Sequence, residues 1–519
     1  MKFFNTAGLI NPNDHYFIPH RFNEQKLLDL IDQKKYFILH APRQSGKTTS
    51  VLEFINFLNK QGKYKAFYIN VEAAQASRSN LIQGLRSILN EFKVNIGGKF
   101  GTQDPAVTFL QNQVSDPQLS GTSLYEFLYY WSQNSEKPII LFIDEIDALV
   151  GDTLISVLRQ LRSGYAERPQ AFPQSICLIG VRDVRDYRIW SDNEQATILG
   201  GSAFNIKAES LVIPDFTLEQ VKDLYLQHTA YTGQKFTDEA IEYAFYLTQG
   251  QPWLVNALAY QACFRDITDR NITITKEIVD RAKEELIKRQ DTHLDVLISR
   301  LNEPRVRNVI DAIINSDTIM QLSEDNDDIK YVTDLGLIKT DPQNIWIANP
   351  IYKEILPRAL SSIMQAKLSS RSVDYQNADG TLNTMKLLDK FVQFYRENSA
   401  TWLKDVHYKE SGPHLLLMAF LQRVINGGGT ISREYALGRK RVDLLICYGK
   451  QRILIELKVK HSEKTLDEGL KQTAQYMDSA GNVEAHLVIF DRNPLITWDE
   501  KIFKRQEHVD NKIINVWGL

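Results

Sequence analysis

Unbroken apolar runs of strand length punctuate the first half of the chain, and the clearest of them lead into small or acidic residues. Tyr36-Phe37-Ile38-Leu39-His40, Ile139-Ile140-Leu141-Phe142-Ile143 and Ile176-Cys177-Leu178-Ile179 stand out. Runs without polar interruption predict strands buried on both faces, as in a parallel sheet covered by helices. From residue 217 the period becomes helical, over 217–231, 237–248, 252–265 and 275–290, with cap residues at Thr217 and Thr237. Residues 291–360 read as helices followed by a short hairpin. Its strands are Leu337-Ile338-Lys339 and Ile345-Trp346-Ile347-Ala348, around a turn at Asp341-Pro342-Gln343-Asn344. A polar stretch over 369–384 reads as a linker. Beyond it lie a helix over 414–422 and two alternating strands, around Val442–Ile446 and Arg452–Val459, joined by a turn at Tyr448-Gly449-Lys450. A helix carrying Gln472 and Tyr476 follows.

The first apolar run leads into Ala41-Pro42-Arg43-Gln44-Ser45-Gly46-Lys47-Thr48-Thr49. This is a P-loop with Ala in place of the first glycine. Backbone amides wrap around phosphates only where side chains leave room. Lys47 is placed to reach the β- and γ-phosphates and Thr48 to put its hydroxyl on Mg²⁺. The helix over 49–59 then points its positive end at the same anion. The second run ends in Asp144-Glu145: Asp144 suits Mg²⁺, and Glu145 suits polarising the attacking water. Together these residues point to ATP or GTP. Gly180-Val181 continue the third run, and Arg182 follows it, beside Asp183 with which it can pair. Gly250-Gln251-Pro252 makes a turn between two helical stretches. Tyr16-Phe17-Ile18-Pro19-His20-Arg21-Phe22-Asn23-Glu24 precedes an amphipathic helix and is a candidate adenine wall. Arg159 and Arg162 are either candidates for an arginine finger or solvated helix residues. Residues 15–290 resemble the AAA+/STAND class of ATPases, in which a Gly-x-Pro turn touches the nucleotide and the end of the third strand carries a γ-phosphate sensor; the resemblance implies that Arg182, in that place, either senses phosphate or only pairs with Asp183. The resemblance implies ATP with Mg²⁺, a helical lid, and a homo-oligomer formed through the ATPase domain.

A second constellation lies near the C-terminus. Strand alternation puts Glu456 and Lys458 on one face, opposite Ile453, Ile455 and Val459. If the neighbouring strand pairs with this one, Asp443 joins them. Two carboxylates beside a lysine are what phosphodiester hydrolysis requires: oxygen ligands for Mg²⁺ and a cation to steady the attacking water or the developing charge. The order Asp443, Glu456-Leu457-Lys458, Gln472-Thr473-Ala474-Gln475-Tyr476 resembles the PD-(D/E)xK nucleases, with the Q-x-x-x-Y spacing of the RecB-type branch. The family usually adds a carboxylate from the helix before the first strand. The 414–422 helix has none inside it, so Glu410 at its edge is the best candidate and Glu434 the second.

Composition narrows the class without choosing the function. A chain of 519 residues, 43% hydrophobic and 24% charged, is an ordinary globular protein with room for three or four domains. It has no apolar run of the ~18 residues that span a bilayer. Three scattered cysteines lack metal or disulfide spacing, so the expected compartment is the cytoplasm and no membrane is expected. The net charge of −3 hides a local excess: residues 433–460 hold eight cations against three anions. That excess fits either a polyanionic substrate or a hairpin edge guarded by cations.

The expected fold is therefore α/β and multidomain. A P-loop AAA-type parallel sheet occupies 1–210, a helical lid 211–290, a winged helix 291–360, a linker 361–385 and an α/β PD-(D/E)xK nuclease-like domain 386–519. The expected function is ATP binding and hydrolysis that gates Mg²⁺-dependent cleavage of nucleic acid, expected to be DNA. The alternatives are a STAND-type nucleotide switch with an effector domain, and an ATPase that binds DNA or a partner through an inactive nuclease fold. The acidic start of the helix near Asp325-Asn326-Asp327-Asp328 argues against phosphate contact there and for packing on the ATPase core.

Overall fold

The computed structural model describes residues 2–519 apart from 290–291, 316–325, 342–343, 366–374, 403–412, 415, 419, 422–428, 438–439, 461, 463, 482, 492 and 494. The chain forms two compact units. The first comprises Met1–His293, Ser323–Thr340 and Ala348–Pro350, and the second Leu294–Leu322, Asp341–Ile347 and Ile351–Leu519.

In the first unit the strands are β1 (Tyr36–His40), β2 (Lys65–Asn70), β3 (Ile139–Asp144) and β4 (Ser175–Gly180), then a hairpin of β5 (Arg188–Ser191) and β6 (Ala196–Leu199), and β7 (Lys207–Val212). All but the hairpin form one parallel sheet in the order β2-β3-β4-β1-β7. Helices cover both faces, which is why the inner strands β1, β3 and β4 carry unbroken apolar runs. Leu141, Ile143 and Leu178 pack into one face's core with Phe92, Phe127 and Trp131. Ile140, Phe142 and Cys177 pack into the other with Val51, Phe54 and Leu58. Parallel strands end together, so the loops after β1, β3 and β4 share one edge, where ligands of open α/β sheets bind.

The helix after β1, Lys47–Gln61, starts from Gly46 at φ +82°. A Cβ there would lie 2.6 Å from an Arg21 guanidinium nitrogen, so the position needs glycine for both conformation and space. Helices follow β7 at Leu218–Thr232, Asp238–Thr248, Pro252–Tyr260 and Lys276–Arg289, with a π-helical turn over Gln261–Asp266. Thr217 and Gln220 form the reciprocal capping box that opens the first of them. Farther on come the helix Asp327–Asp334 and the short strands β8 (Ile338–Thr340) and β9 (Ile345–Ile347).

The second unit is built on β10 (Gly429–Leu437), β11 (Lys440–Tyr448), β12 (Gln451–Val459), β13 (Glu484–Phe490), β14 (Phe503–Val509) and β15 (Lys512–Gly518). They form one mixed sheet, β10-β11-β12-β13-β15-β14, parallel only at β12–β13 and β13–β15. Helix Thr384–Trp402 lays Leu387, Leu388, Phe391 and Tyr395 on the face bearing Ile453, Ile455 and Leu457. Leu416, Leu417, Met418 and Leu421 join the same core. On the opposite face, helix Thr465–Ala480 packs Tyr476 and Ala480 against Val442, Leu445 and Leu454. The end of the stretch read as linker is part of this unit: Gln376 and Leu382 form a β-bridge, and Leu382 is buried in the core.

Candidate functional site

Where β1 ends, the P-loop and the N-terminal segment enclose a cavity of about 350 Å³. Arg43, Gln44, Gly46, Lys47, Thr48 and Thr49 line it, together with Glu145, and Tyr16, Phe17, Phe216, Leu224, Trp253 and Asn256 supply a largely apolar wall. Lys47 is buried, and its ammonium donates to the carbonyls of Ala41 (2.9 Å) and Pro42 (3.1 Å). Burial holds its pKa below the usual lysine range, against the opposing pull of Glu145, Asp144 and Asp147. Thr48 Oγ1 donates to Asp144 Oδ2 at 2.8 Å, so the hydroxyl and the carboxylate proposed for Mg²⁺ are adjacent. A hydroxyl and a carboxylate at a P-loop are a hard oxygen set that fits this ion. Asp144 is fully buried, and its remaining oxygen accepts the Glu145 amide at 2.9 Å. Glu145 sits at φ +57°, and burial, then the charges of Asp147 and Asp144, raise its pKa.

Two groups here, Tyr68 and residues 5–10, were not legible as site residues. Tyr68, on β2, donates its hydroxyl to the same Asp144 oxygen as Thr48, at 2.9 Å. Arg21 donates to the Ser45 and Pro214 carbonyls and stacks on Phe216 at 4.6 Å, tying the P-loop to the segment before helix Leu218–Thr232. The Gly250-Gln251-Pro252 turn meets the same spot: Phe216 N donates to Gly250 O at 2.8 Å, and Gln251 Nε2 to Gln44 O at 3.5 Å. Residues 5–10 form part of the cavity wall, fastened by the bond from Trp253 Nε1 to Thr6 O at 2.8 Å. A short N-terminal stretch without helical or strand periodicity carries no sequence signal for this role. Arg182 stands apart from the cavity lining. Its Nε donates to Asp334 Oδ2 at 3.3 Å, and its guanidinium lies over Tyr331 at 4.7 Å. Burial pushes the Asp334 carboxyl up to about 6. Arg159 pairs with Glu194 at 2.9 Å, and Arg162 donates to Ser202 O at 2.9 Å.

In the second unit the antiparallel register pairs Leu444 with Ile455, which brings Asp443 beside the end of β12. Asp443 Oδ2 accepts the Leu457 amide at 2.8 Å, and Lys458 Nζ lies 3.1 Å from Glu456 Oε1. Glu456 is only 2% exposed, and its Oε2 is buried with no hydrogen-bond partner among the described residues. Burial and the Asp443 charge push its pKa up to about 7, with Lys458 opposing. Gln472 Nε2 donates to Tyr476 OH at 3.4 Å, and burial followed by the Glu456 and Asp443 charges lifts Tyr476 to about 12. A buried carboxylate with an unpartnered oxygen, next to a second carboxylate, fits a hard divalent cation. Among the described residues no three or more His, Cys, Asp or Glu side chains form such a group. Glu410 lies outside the described residues, as do the side chains of Glu434, Arg433, Arg439, Lys440 and Arg441. Of the other cations in this stretch, Arg452 donates to Ala480 O at 2.9 Å and Lys460 pairs with Asp491 at 3.2 Å. Part of the local positive charge is therefore spent on the fold. Among the described residues no helix is long and apolar enough to cross a membrane.

A family described as AAA-like domain matches residues 5–395, and a domain of unknown function matches residues 380–493. No match was found among curated proteins. Among solved structures, the chain is similar to the Walker-type ATPase PABY2304 of Pyrococcus abyssi, at 17% identity and a TM-score of 0.48, covering 68% of this chain and 99% of that one. It is also similar to Cdc6p of Pyrobaculum aerophilum, at 13% identity and a TM-score of 0.36, covering 68% and 97%. The RuvB Holliday junction branch migration motor of Thermotoga maritima matches at 13% identity and a TM-score of 0.33, covering 64% and 94%. The family match takes in well over half of the chain, including the P-loop, the Asp144-Glu145 strand end and the helices that follow: the chain belongs to the AAA-like domain family and is a P-loop ATPase.

Proposed function

We propose that ATP binding and hydrolysis in the first unit gate Mg²⁺-dependent cleavage of DNA phosphodiesters by the second. The observation that carries the nuclease half is the convergence of Asp443, Glu456 and Lys458 around a buried carboxylate oxygen with no partner among the described residues. A site kept only for packing would satisfy that oxygen or replace it, since an unpaired buried charge is costly. In this reading Lys47 grips the β- and γ-phosphates, Thr48 and Asp144 hold Mg²⁺, and Glu145 takes the proton of the attacking water. Asp443 and Glu456 hold the second Mg²⁺, Lys458 steadies the developing charge, and Gln472 and Tyr476 line the same face. Bound at either site, Mg²⁺ supplies Lewis acidity toward a phosphoryl oxygen and a more acidic water. Incubating plasmid and single-stranded DNA with Mg²⁺ tests the nuclease half. Wild type cuts and Asp443→Ala does not; equal behaviour in every condition rejects it.

A second reading, a nucleotide switch, has one observation in its favour. The helix Asp327–Asp334, which we read as part of a winged helix, gives Asp334 to Arg182 beyond the end of β4, and Lys330 pairs with Asp186 at 2.8 Å. Contacts near the nucleotide edge of the sheet suit an element that answers to bound nucleotide. In that reading ADP and ATP set different oligomeric masses, measurable by light scattering, and turnover is slow.

A further inference from the structure

We infer that Asn256 is the residue by which this ATPase selects adenine, an inference that rests on the nucleotide reading of the cavity above. Asn256 lies on the helix Pro252–Tyr260, lines the cavity and is 5% exposed. Its Nδ2 donates to Pro252 O at 2.8 Å, one turn back along the helix. That bond fixes the amide, because rotating it by 180° would set Oδ1 against a carbonyl oxygen. Oδ1 is therefore the group left over, and it is buried with no hydrogen-bond partner among the described residues.

Its neighbours on this wall are already committed. Tyr16 OH is bonded to His228 Nδ1 at 3.0 Å, and Trp253 Nε1 donates to Thr6 O. The helix starts against the P-loop, where Gln251 reaches Gln44 O. Asn256 follows Gln251 by five residues, roughly 7.5 Å of helical rise, more than a turn along the helix from that contact. At that distance, among Phe17, Leu224 and Trp253, the base is a better occupant than the phosphates. A buried acceptor asks for a donor. Adenine offers an amine on its six-membered ring where guanine and hypoxanthine carry a carbonyl oxygen, so a 6-oxopurine would set two acceptors against each other. An acceptor left unmatched in a buried wall keeps its full desolvation penalty.

The test is calorimetric titration of the full chain, in the presence of Mg²⁺, with ATP, with purine riboside triphosphate (which lacks the amine) and with inosine triphosphate. Wild type is expected to bind ATP roughly tenfold more tightly than purine riboside triphosphate, the worth of one buried hydrogen bond, and inosine triphosphate more weakly still. In Asn256→Ala, ATP falls to the level of purine riboside triphosphate, while the analogue's own affinity stays within about twofold. Wild type binding ATP and the analogue equally overturns the inference without any variant. So does an Asn256→Ala chain that loses both ligands alike, the mark of a packing role. Failure of the nucleotide reading looks different: no triphosphate would bind, or Lys47→Ala would bind all three as wild type does.

Discussion

At the scale of single residues, the two sites place carboxyl groups where their protonation matters. In the proposed mechanism Glu145 takes the proton of the attacking water and must be ionised, and burial, with the charges of Asp147 and Asp144, raises its pKa above the ordinary 4.5. Turnover is therefore lost as pH falls through that raised value, at a higher pH than an exposed glutamate would allow. Glu145→Gln is expected to keep ATP binding and lose roughly 10²–10⁴-fold in turnover; steady-state ATPase rates across pH check both statements. Glu456 has the same sign of shift and a consequence for stability. Its folded pKa of about 7 lies above its ordinary value of 4.5, so between those values the folded chain binds the extra proton. The contribution is full below pH 4.5 and lost as pH rises through 7. Glu456→Gln should therefore raise the melting temperature of the second unit at pH 8 in EDTA and leave it nearly unchanged at pH 4.5. The motif residues behind these statements were legible because their chemistry demands given side chains in a given order. Tyr68 and Asn256 were not, since each acts through surroundings brought close only by the fold: Asp144 at the end of the neighbouring strand for Tyr68, the cavity wall for Asn256.

At the scale of elements, legibility followed burial. β1, β3 and β4 lie inside the parallel sheet, and their continuous apolar runs announce them. β2 and β7 are its edges and mix lysine, glutamate, serine and asparagine into the pattern, so their sequences give no clean period. The same holds for β14, whose Phe503-Lys504-Arg505-Gln506 stretch is exposed. In the second unit, alternation on β12 predicted which side chains share a face, and packing bears this out: Ile453, Ile455 and Leu457 enter one core, Leu454 the other. The turn at Gly250 shows an element whose role depends on one backbone conformation. Gly250 has φ +78°, and a Cβ would fall 1.9 Å from Phe216 O. Gly250→Ala is expected to cost about 1–3 kcal/mol and to loosen the helices after β7 against the P-loop. A lowered melting temperature with weakened ATP affinity checks this; an unchanged melt would mean the turn relaxes without cost.

At the scale of the whole molecule, the family match establishes an ATPase, and the proposed claim is that its nucleotide state controls a second chemistry on the same chain. The two units carry separate acidic sites, Thr48 and Asp144 in one, Asp443 and Glu456 in the other, so either can be disabled alone. The most direct measurement is the rate of plasmid cleavage in Mg²⁺ with ATP, with ADP and without nucleotide, for wild type, Lys47→Ala and Asp443→Ala. The account predicts that wild-type cleavage depends on which nucleotide is present, that Lys47→Ala cleaves at one rate in all three conditions, and that Asp443→Ala cleaves in none. A wild-type rate indifferent to nucleotide, or cleavage that survives Asp443→Ala, would contradict it.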